Sequence, residues 1–284
     1  MNRFDTVVMV DWSASGSSNK GNASIWFAEA RGGHLVTIAN PSTRYEACAM
    51  LGDLIRRITE AGHRALIGFD FPFGYPVGTA GVVSKTSGLS MWEWIAKNLD
   101  DKRTNDNNRF EVASRINRMF SGDGPFWAHP ENKKPADIPF RKPDGYGSDY
   151  PAEKRIIDER AGTSSSVWQL FSGANVVGSQ ALTGIASVHR LRENNSDIAV
   201  WPFDGERAFQ HSPIVFAEIY PSLLPVYPAW GETKDMVQVR TAALHFAALS
   251  RKKMHDLLLA PFRLPEAERA AVVGEEGWIL GVPA

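Results

Sequence analysis

Three carboxylates stand at the end of, or within, apolar runs that are typical of buried strands. Asp11 and Asp70 each directly follow one such run, and Glu218 interrupts another. The runs are Val7 to Val10, Ala65 to Phe69 and Ile214 to Tyr220. If the first two strands are parallel neighbours, Asp11 and Asp70 face each other at the carboxyl edge of a sheet, where open α/β folds bind their ligands.

Carboxylates in such positions are costly unless they meet a cation, a basic partner or hydrogen-bond donors. Mg²⁺ and Mn²⁺ prefer oxygen ligands and leave coordination positions open for a phosphate group. The sequence therefore predicts Asp11, Asp70 and Glu218 as catalytic ligands of Mg²⁺ or Mn²⁺. The corresponding hypothesis is two-metal hydrolysis of a phosphodiester bond, with Asp11 bridging the two ions. The alternative for each acid is a cap of a turn or helix, or an ion pair with Arg or Lys.

A fourth acid and two basic residues extend this hypothesis. Asp256 is the predicted fourth catalytic acid. Asp235, Glu275 and Glu276 are the alternatives, although Asp235 stands at the start of a helix, where an acid is also favourable for the helix alone. Lys234 and Arg240 are predicted to bind substrate by neutralising charge on the phosphate.

The turn that follows Asp11 provides the remaining predicted substrate contacts. Ser13 lies in this turn, and Trp12 could stack on a base, as could Trp168. The alternative for both tryptophans is a place in the core, because a chain with nine tryptophans buries most of them.

The elements that must hold these residues follow an α/β pattern. Three strands in a meander are predicted around residues 7–10, 24–30 and 34–38. A capping-box pattern of Thr43 and Glu46 then predicts a helix that ends at Gly62, and this helix leads to the strand before Asp70. Strand, strand, strand, helix, strand is the order of the ribonuclease H-like core, and also of one half of the actin and sugar-kinase fold.

From about residue 72 to residue 212 the pattern is looser. We interpret this segment as a large insertion, mostly helix and loop, within a single domain of residues 1–284. Helices are predicted after Ser90, over 109–120 and over 177–191, and Ser164 to Ser166 are predicted to cap another near Val167. Strands return at 198–201 and 214–220, and a helical pattern covers about 235–259.

Composition limits the classes of function. The formal charge of −1 shows no overall basic excess, so nucleic-acid or nucleotide binding would need a local patch, such as the lysines at 133 and 134. A single cysteine, Cys48, excludes an intramolecular disulfide and a cysteine-based zinc site. No run of 18 apolar residues is present, and we expect a cytoplasmic protein without membrane association. The oligomeric state is left open.

Five short segments carry a resemblance to a known family. They are Val10 to Ser13, Gly68 to Gly74, Val200 to Phe203, Glu218 to Ser222 and Glu276 to Ile279. In this order, over nearly the whole chain, they resemble the proteins grouped as domain of unknown function 429. That family is regarded as predicted nucleases with a ribonuclease H-like fold, so the resemblance implies this fold and Asp11, Asp70 and Glu218 as acidic metal-binding positions. It also leads us to expect an acid-rich helix near the C-terminus, which Asp256 matches imperfectly.

Two other functions remain open from the sequence. A phosphotransferase of the actin and sugar-kinase type would use the turn after Asp11 as a phosphate loop, but Trp12 stands where that loop needs a glycine. A binding or assembly protein could keep the same fold without chemistry. The choice among DNA, RNA and a small phosphodiester as substrate is also open.

Overall fold

A six-stranded mixed sheet lies at the centre of the protein. The computed structural model describes residues 3–133, 135–163, 166–172, 176–195 and 197–284. The strands are β1 (Thr6–Asp11), β2 (Trp26–Arg31), β3 (His34–Ala39), β4 (Ala65–Asp70), β5 (Ile198–Val200) and β6 (Ile214–Glu218). Their order across the sheet is β3-β2-β1-β4-β6-β5. The meander β1, β2 and β3 is antiparallel, whereas β1, β4, β6 and β5 run parallel.

Strand sequence explains which strands are central. β1, β4 and β6 are apolar on both faces, as expected for strands with a neighbour on either side and a layer of helices above and below. Alternation along each strand divides the core into two layers. Val8, Val10, Ile67, Phe69 and Phe216 face one layer, here called the α1 face. Val7, Met9, Leu66, Val215 and Ala217 face the other, here called the α8 face.

Helices cover both faces of the sheet. The ten α-helices in the described residues are α1 (Arg44–Glu60), α2 (Thr79–Val83), α3 (Gly88–Asn98), α4 (Arg109–Asn117), α5 (Ile156–Arg160), α6 (Gly178–Glu193), α7 (Gly205–His211), α8 (Lys234–Ala248), α9 (Arg251–Leu259) and α10 (Glu266–Ala271). Apolar residues of α1, α3, α4 and α6 pack in the α1 face, and those of α8 and α9 pack in the α8 face. The sequence-based α/β prediction is therefore confirmed.

Several predicted boundaries move. Ser87, not Ser90, is the N-cap of α3, and Ser90 is its capping-box partner. The helical pattern over 235–259 is two helices, because Leu249 is extended and the Ser250 hydroxyl caps α9 by accepting the Lys253 N–H. The predicted helix near Val167 is wrong, since residues 166–172 are irregular. Ser164 and Ser165 of its predicted cap, and Lys134 of the basic patch, lie outside the described residues.

The segment 72–212 is not separate from the sheet. It holds α2 to α7 and also contributes β5, the short edge strand beside β6. Its helices share the α1 face with α1 and with the strands. In the part of the chain that the structure describes, no helix combines the length and the apolar character needed to cross a membrane.

Candidate functional site

Asp11 and Asp70 end two adjacent parallel strands, and the register places them directly opposite each other. Neighbouring strands are roughly 5 Å apart, so the two residues are close neighbours. Each acid follows a residue of the α1 face, Val10 or Phe69, so its own side chain points to the α8 face. Both are partly exposed. The structure thus brings these two predicted residues together at the carboxyl edge of the sheet.

The floor beneath the pair is apolar and tightly packed. Met9 and Gly68 precede the two acids by two residues and lie on the same face. A Cβ atom at Gly68 would lie 2.5 Å from Met9 Sδ and 2.6 Å from Ile219 Cγ2, so no larger residue fits there. Within the described ranges, neither Asp11 nor Asp70 forms an ion pair or a side-chain hydrogen bond. The charge of Lys234 acts favourably on both carboxylates, but in the described residues it forms no ion pair with either.

Burial and mutual repulsion disfavour the ionised pair. Burial is the main cause that raises the pKa of Asp70 to about 7, and the charges of Glu218 and Asp235 raise it further while Lys234 opposes them. Burial also raises the pKa of Asp11 well above its usual range, followed by repulsion from Asp70 and Asp235. Two neighbouring carboxylates of this kind retain a proton near neutral pH unless a cation neutralises them.

The N-terminus of α8 brings two further charged residues to the pair. Thr233 caps this helix, and its hydroxyl accepts the Met236 N–H. Lys234 is exposed and, among the described residues, forms no ion pair or hydrogen bond. The Asp235 carboxylate accepts the Ala23 N–H at 3.0 Å, which ties the loop after β1 to α8. Lys234, the predicted phosphate-binding residue, thus lies at the helix end next to the pair, and Asp235, an alternative fourth acid, is the one that acts on the pair.

Asp256 is elsewhere in the molecule. It lies on α9, where its carboxylate accepts a hydrogen bond from Arg263 at 3.0 Å on the surface. Met254 of the same helix lines a small cavity with Phe4 and Val7, at the amino end of β1. The structure therefore does not bring Asp256 to Asp11 and Asp70, because its carboxylate is paired with Arg263 and its helix begins beside the amino end of β1.

Trp12 and Ser13 hold the structure of the turn and are not available to substrate. Trp12 is 1% exposed and its ring packs against Phe69 and Phe71. The Ser13 hydroxyl donates to the Ala23 carbonyl at 3.1 Å and accepts the Ser15 N–H. The predicted stacking of Trp12 on a base is therefore wrong. Trp168 is likewise fully buried.

Arg44 fixes the loop after Asp11. Its buried guanidinium forms a bidentate pair with Asp101 at 2.6 Å, and Nη1 donates to the carbonyls of Ser13 and Ser15 at 3.0 and 2.8 Å. The remaining N–H donates to the Asn105 carbonyl. All five donors of Arg44 are thus used, and the loop is held against both α1 and the 101–105 segment.

Glu218 lies on the other face of the sheet from the aspartate pair. It pairs in register with Phe69 and follows Phe216 by two residues, so it belongs to the α1 face. Both carboxylate oxygens accept Arg155 N–H groups at 2.7 Å, and Oε2 also accepts the Phe73 N–H at 2.8 Å. Glu218 therefore already has its cation, and the structure does not join it to Asp11 and Asp70.

Arg155 is the centre of a buried network. Besides Glu218, it donates to both oxygens of Asp158 at 2.9 Å and to the carbonyl of Glu276 at 3.0 Å, which uses all five of its donors. The Glu276 carboxylate in turn accepts the N–H groups of Val77 and Ile156. This network connects β6 to the 72–212 segment and to the C-terminal segment, so its role is structural.

Arg240 has a local partner. Its Nη1 and Nη2 donate to the two oxygens of Glu232, at 2.5 and 3.2 Å. The charge that was predicted to neutralise a substrate phosphate is therefore committed to the loop before α8.

Two further observations define the surroundings of the pair. In the described residues, no three His, Cys, Asp or Glu side chains are grouped so that they could hold a metal ion. A cavity of about 1130 Å³ lies along α1 and α6, from Arg44 and Asp101 to Ile198 and Ile214 at the amino ends of β5 and β6. Neither Asp11 nor Asp70 is among the residues that line it.

No protein-family model, no curated protein and no solved structure matches the chain.

Proposed function

We propose that this protein is a metal-dependent hydrolase of phosphodiester bonds, with Asp11 and Asp70 as the ligands of one Mg²⁺ or Mn²⁺ ion. The observation that carries the proposal is the pair itself, because two carboxylates face each other at a sheet edge and, among the described residues, neither forms an ion pair. Repulsion and burial raise the free energy of the ionised pair, and a divalent cation between the carboxylates removes that cost.

The donor set fits such an ion. Mg²⁺ is commonly bound by one or two carboxylates, and it keeps water molecules and substrate phosphate oxygens as its other ligands. A pair of aspartates therefore suffices, and the lack of a third grouped acid in the described residues argues against a second ion held by protein alone. The proposal thus reduces the two-metal hypothesis to one ion and removes Glu218 from its ligands.

Each nearby residue has a role that follows from its position. Asp11 and Asp70 would hold the ion in their ionised forms, and the ion would supply positive charge opposite the phosphate and lower the pKa of a bound water. Lys234 is exposed and forms no ion pair or hydrogen bond in the described residues, and its ammonium group binds a phosphate oxygen. Asp235 holds the loop after β1 through the Ala23 N–H and keeps Lys234 at the edge.

The topology supports a ribonuclease H-like fold as part of the same proposal. The chain begins with an antiparallel meander, passes through α1, and returns to a strand parallel to β1. The phosphotransferase alternative needs a second half with its own nucleotide site, and the described residues form one sheet only. The observed order therefore favours the hydrolase.

The test is calorimetric titration of Mn²⁺ into the wild type and into Asp70→Asn and Asp11→Asn, with Mn²⁺-dependent hydrolysis of bis(4-nitrophenyl) phosphate measured in parallel. We expect either substitution to weaken Mn²⁺ binding by more than about tenfold, since even outer-shell changes cost 10- to 100-fold, and to abolish hydrolysis. Asp197→Asn is the control, because Asp197 is an exposed acid at the other end of the sheet. Equal binding and hydrolysis in Asp70→Asn, or neither property in the wild type, would refute the proposal.

A further inference from the structure

Two exposed aromatic residues, Tyr227 and Trp230, lie on the loop that joins β6 to α8, the helix whose N-terminus reaches the aspartate pair. Trp230 is 102% exposed and Tyr227 is 87% exposed, the highest values among the large hydrophobic side chains of the described residues. All nine tryptophans lie in described parts of the chain, and Trp230 is the one whose side chain is largely exposed to solvent. An exposed aromatic surface is informative because apolar side chains of this size are normally covered.

The loop holds Trp230 outward by a defined turn. The Glu232 N–H donates to the Ala229 carbonyl at 3.0 Å, which closes a four-residue turn with Trp230 at its second position. Gly231 follows with φ of 84°, a conformation that strongly favours glycine. The Glu232 carboxylate accepts the Ala229 N–H at 2.9 Å and is paired with Arg240. The exposure of Trp230 is therefore built into the fold.

The rest of the loop is stiff and short. Prolines at 221, 225 and 228 restrict φ on the approach to Tyr227 and Trp230. Trp230 is four residues before Lys234, so their Cα atoms are at most about 14 Å apart. Asp235, the residue after Lys234, accepts the Ala23 N–H at 3.0 Å, and Ala23 lies three residues before Trp26, the register partner of Asp11. Trp230 therefore lies on the loop that leads into the helix end next to the candidate site.

From this arrangement we infer that Tyr227 and Trp230 form a stacking platform for unpaired bases of a single-stranded nucleic acid whose backbone passes Lys234 and the aspartate pair. The inference rests on the proposed function and names its substrate class. Exposed aromatic rings bind bases of any sequence, and an exposed lysine that forms no ion pair in the described residues binds the backbone phosphate. A duplex hides its base faces and is expected to bind more weakly.

Anisotropy of fluorescein-labelled oligothymidylate and oligouridylate, each about twelve nucleotides long, tests the inference. EDTA is present, so that binding is measured without hydrolysis, and the two strands distinguish DNA from RNA. We expect Trp230→Ala to weaken binding of the preferred strand by about 5- to 150-fold, which corresponds to about 1–3 kcal/mol for one stacked base. Trp230→Phe should retain most of the affinity, and Tyr227→Ala should lose part of it.

Phe140→Ala is the matched control, because Phe140 is an exposed aromatic residue in the 72–212 segment. The inference is overturned if Trp230→Ala binds within twofold of the wild type, or if the wild type binds a duplex as tightly as a single strand. It is also overturned if Trp230→Ala alters only the oligomeric mass, since a second copy would then cover the surface.

These outcomes separate the inference from the proposed function. The wild type could hydrolyse bis(4-nitrophenyl) phosphate in an Asp70-dependent manner and yet bind neither oligonucleotide. That result would overturn the inference of a stacking platform and leave the proposed hydrolase function standing. A wild type that binds single strands through Trp230 without any Mn²⁺-dependent hydrolysis would support a nucleic-acid-binding protein and remove the hydrolase.

Discussion

The ionised carboxylates of Asp11 and Asp70 are destabilised by burial and by their mutual repulsion. Both lie over the apolar floor of Met9, Gly68 and Ile219, and both are raised in pKa by burial and repulsion. Functional sites often retain such costly groups because their chemistry needs them. The free energy stored in the pair is available to any divalent cation that binds between the two acids.

The raised pKa of Asp70 predicts how the stability of the folded protein depends on pH. In the metal-free folded protein Asp70 keeps its proton up to about pH 7, whereas in the unfolded chain it ionises near pH 4. The unfolded state therefore binds fewer protons over this interval, and stability falls as the pH rises from 4 to 7. Asp70→Asn removes this penalty, and we expect it to be more stable than the wild type at pH 8 by about 1–3 kcal/mol.

Urea unfolding in EDTA at pH 5 and pH 8 measures this effect. The difference in unfolding free energy between Asp70→Asn and the wild type should be larger at pH 8 than at pH 5. Saturating Mn²⁺ should raise the stability of the wild type but not that of Asp70→Asn. Asp197→Asn serves again as the exposed control. The explanation of the raised Asp70 pKa would be contradicted if the wild type gained stability relative to Asp70→Asn between pH 5 and pH 8.

Glu218→Gln separates a structural acid from a metal ligand. Because Arg155 and the Phe73 N–H already use both oxygens of Glu218, we expect Mn²⁺ affinity to stay within about threefold of the wild type. Stability should fall by about 1–3 kcal/mol, since an amide presents a donor where two oxygens now accept. Calorimetry and urea unfolding on the same samples measure both quantities. If Glu218→Gln lost as much Mn²⁺ affinity as Asp11→Asn, Glu218 would have to be counted as a metal ligand.

At this scale the sequence predicts part of the site. Asp11 and Asp70 follow apolar runs of the same kind, and in-register parallel pairing brought them together as expected. The run around Glu218 is apolar on both faces and has no alternation, so it does not reveal which face the acid will occupy. A register in which Glu218 pairs with Phe69 puts it on the opposite face from Asp70.

Two helices show how whole elements position the site. The N-terminus of α8 brings Lys234 and Asp235 to the sheet edge, while the start of α1 brings Arg44 to the loop after Asp11. Thr43, Thr233 and Ser250 act as N-caps, and a hydroxyl residue before a helical run is visible in sequence. The direction in which each helix crosses the sheet is not visible in sequence, because it depends on packing between distant residues. Sequence alone therefore does not show that Asp235, and not Asp256, lies near the aspartate pair.

Two glycines in helices provide a matched test of packing against the sheet. A Cβ atom at Gly184 in α6 would lie 2.5 Å from the buried Phe71 ring, whereas one at Gly52 in α1 would lie 3.9 Å from Leu191. We expect Gly184→Ala to lower stability by about 1–3 kcal/mol through overpacking. Gly52→Ala should raise it by about 0.5–1 kcal/mol through helix propensity. Chemical denaturation measures both, and equal effects of the two substitutions would contradict this packing.

The molecule as a whole is unified by the layer on the α1 face. Helices α3, α4 and α6 of the 72–212 segment share this core with β1, β4 and α1, and the Arg44 and Arg155 networks cross the same boundary. The sequence predicts the position of this segment, because its pattern loosens after Asp70. It does not predict how closely the segment joins the sheet, since contacts such as Arg155 with Glu218 link residues far apart in the chain.

This shared core predicts one cooperative unfolding transition for the full chain. Tryptophans occur on both sides of the boundary, with Trp12 after β1, Trp92 in α3 and Trp278 near the C-terminus. Urea curves followed by tryptophan fluorescence and by far-ultraviolet circular dichroism should therefore coincide. Two separated transitions would show that the 72–212 segment is an independent unit.

The position of β6 beside β4 has a consequence for how the chain reaches this structure. Residues 71–213 separate two strands that are immediate neighbours in the sheet. β4 can therefore pair with β6 only after this long segment has been brought into place. Closing so long a loop costs entropy before any strand pairing repays it, and such pairings slow folding. Until then Leu66 and Ile67 lie on an open apolar edge that another chain can join. Refolding yield should accordingly fall as protein concentration rises, even though the finished sheet covers that edge.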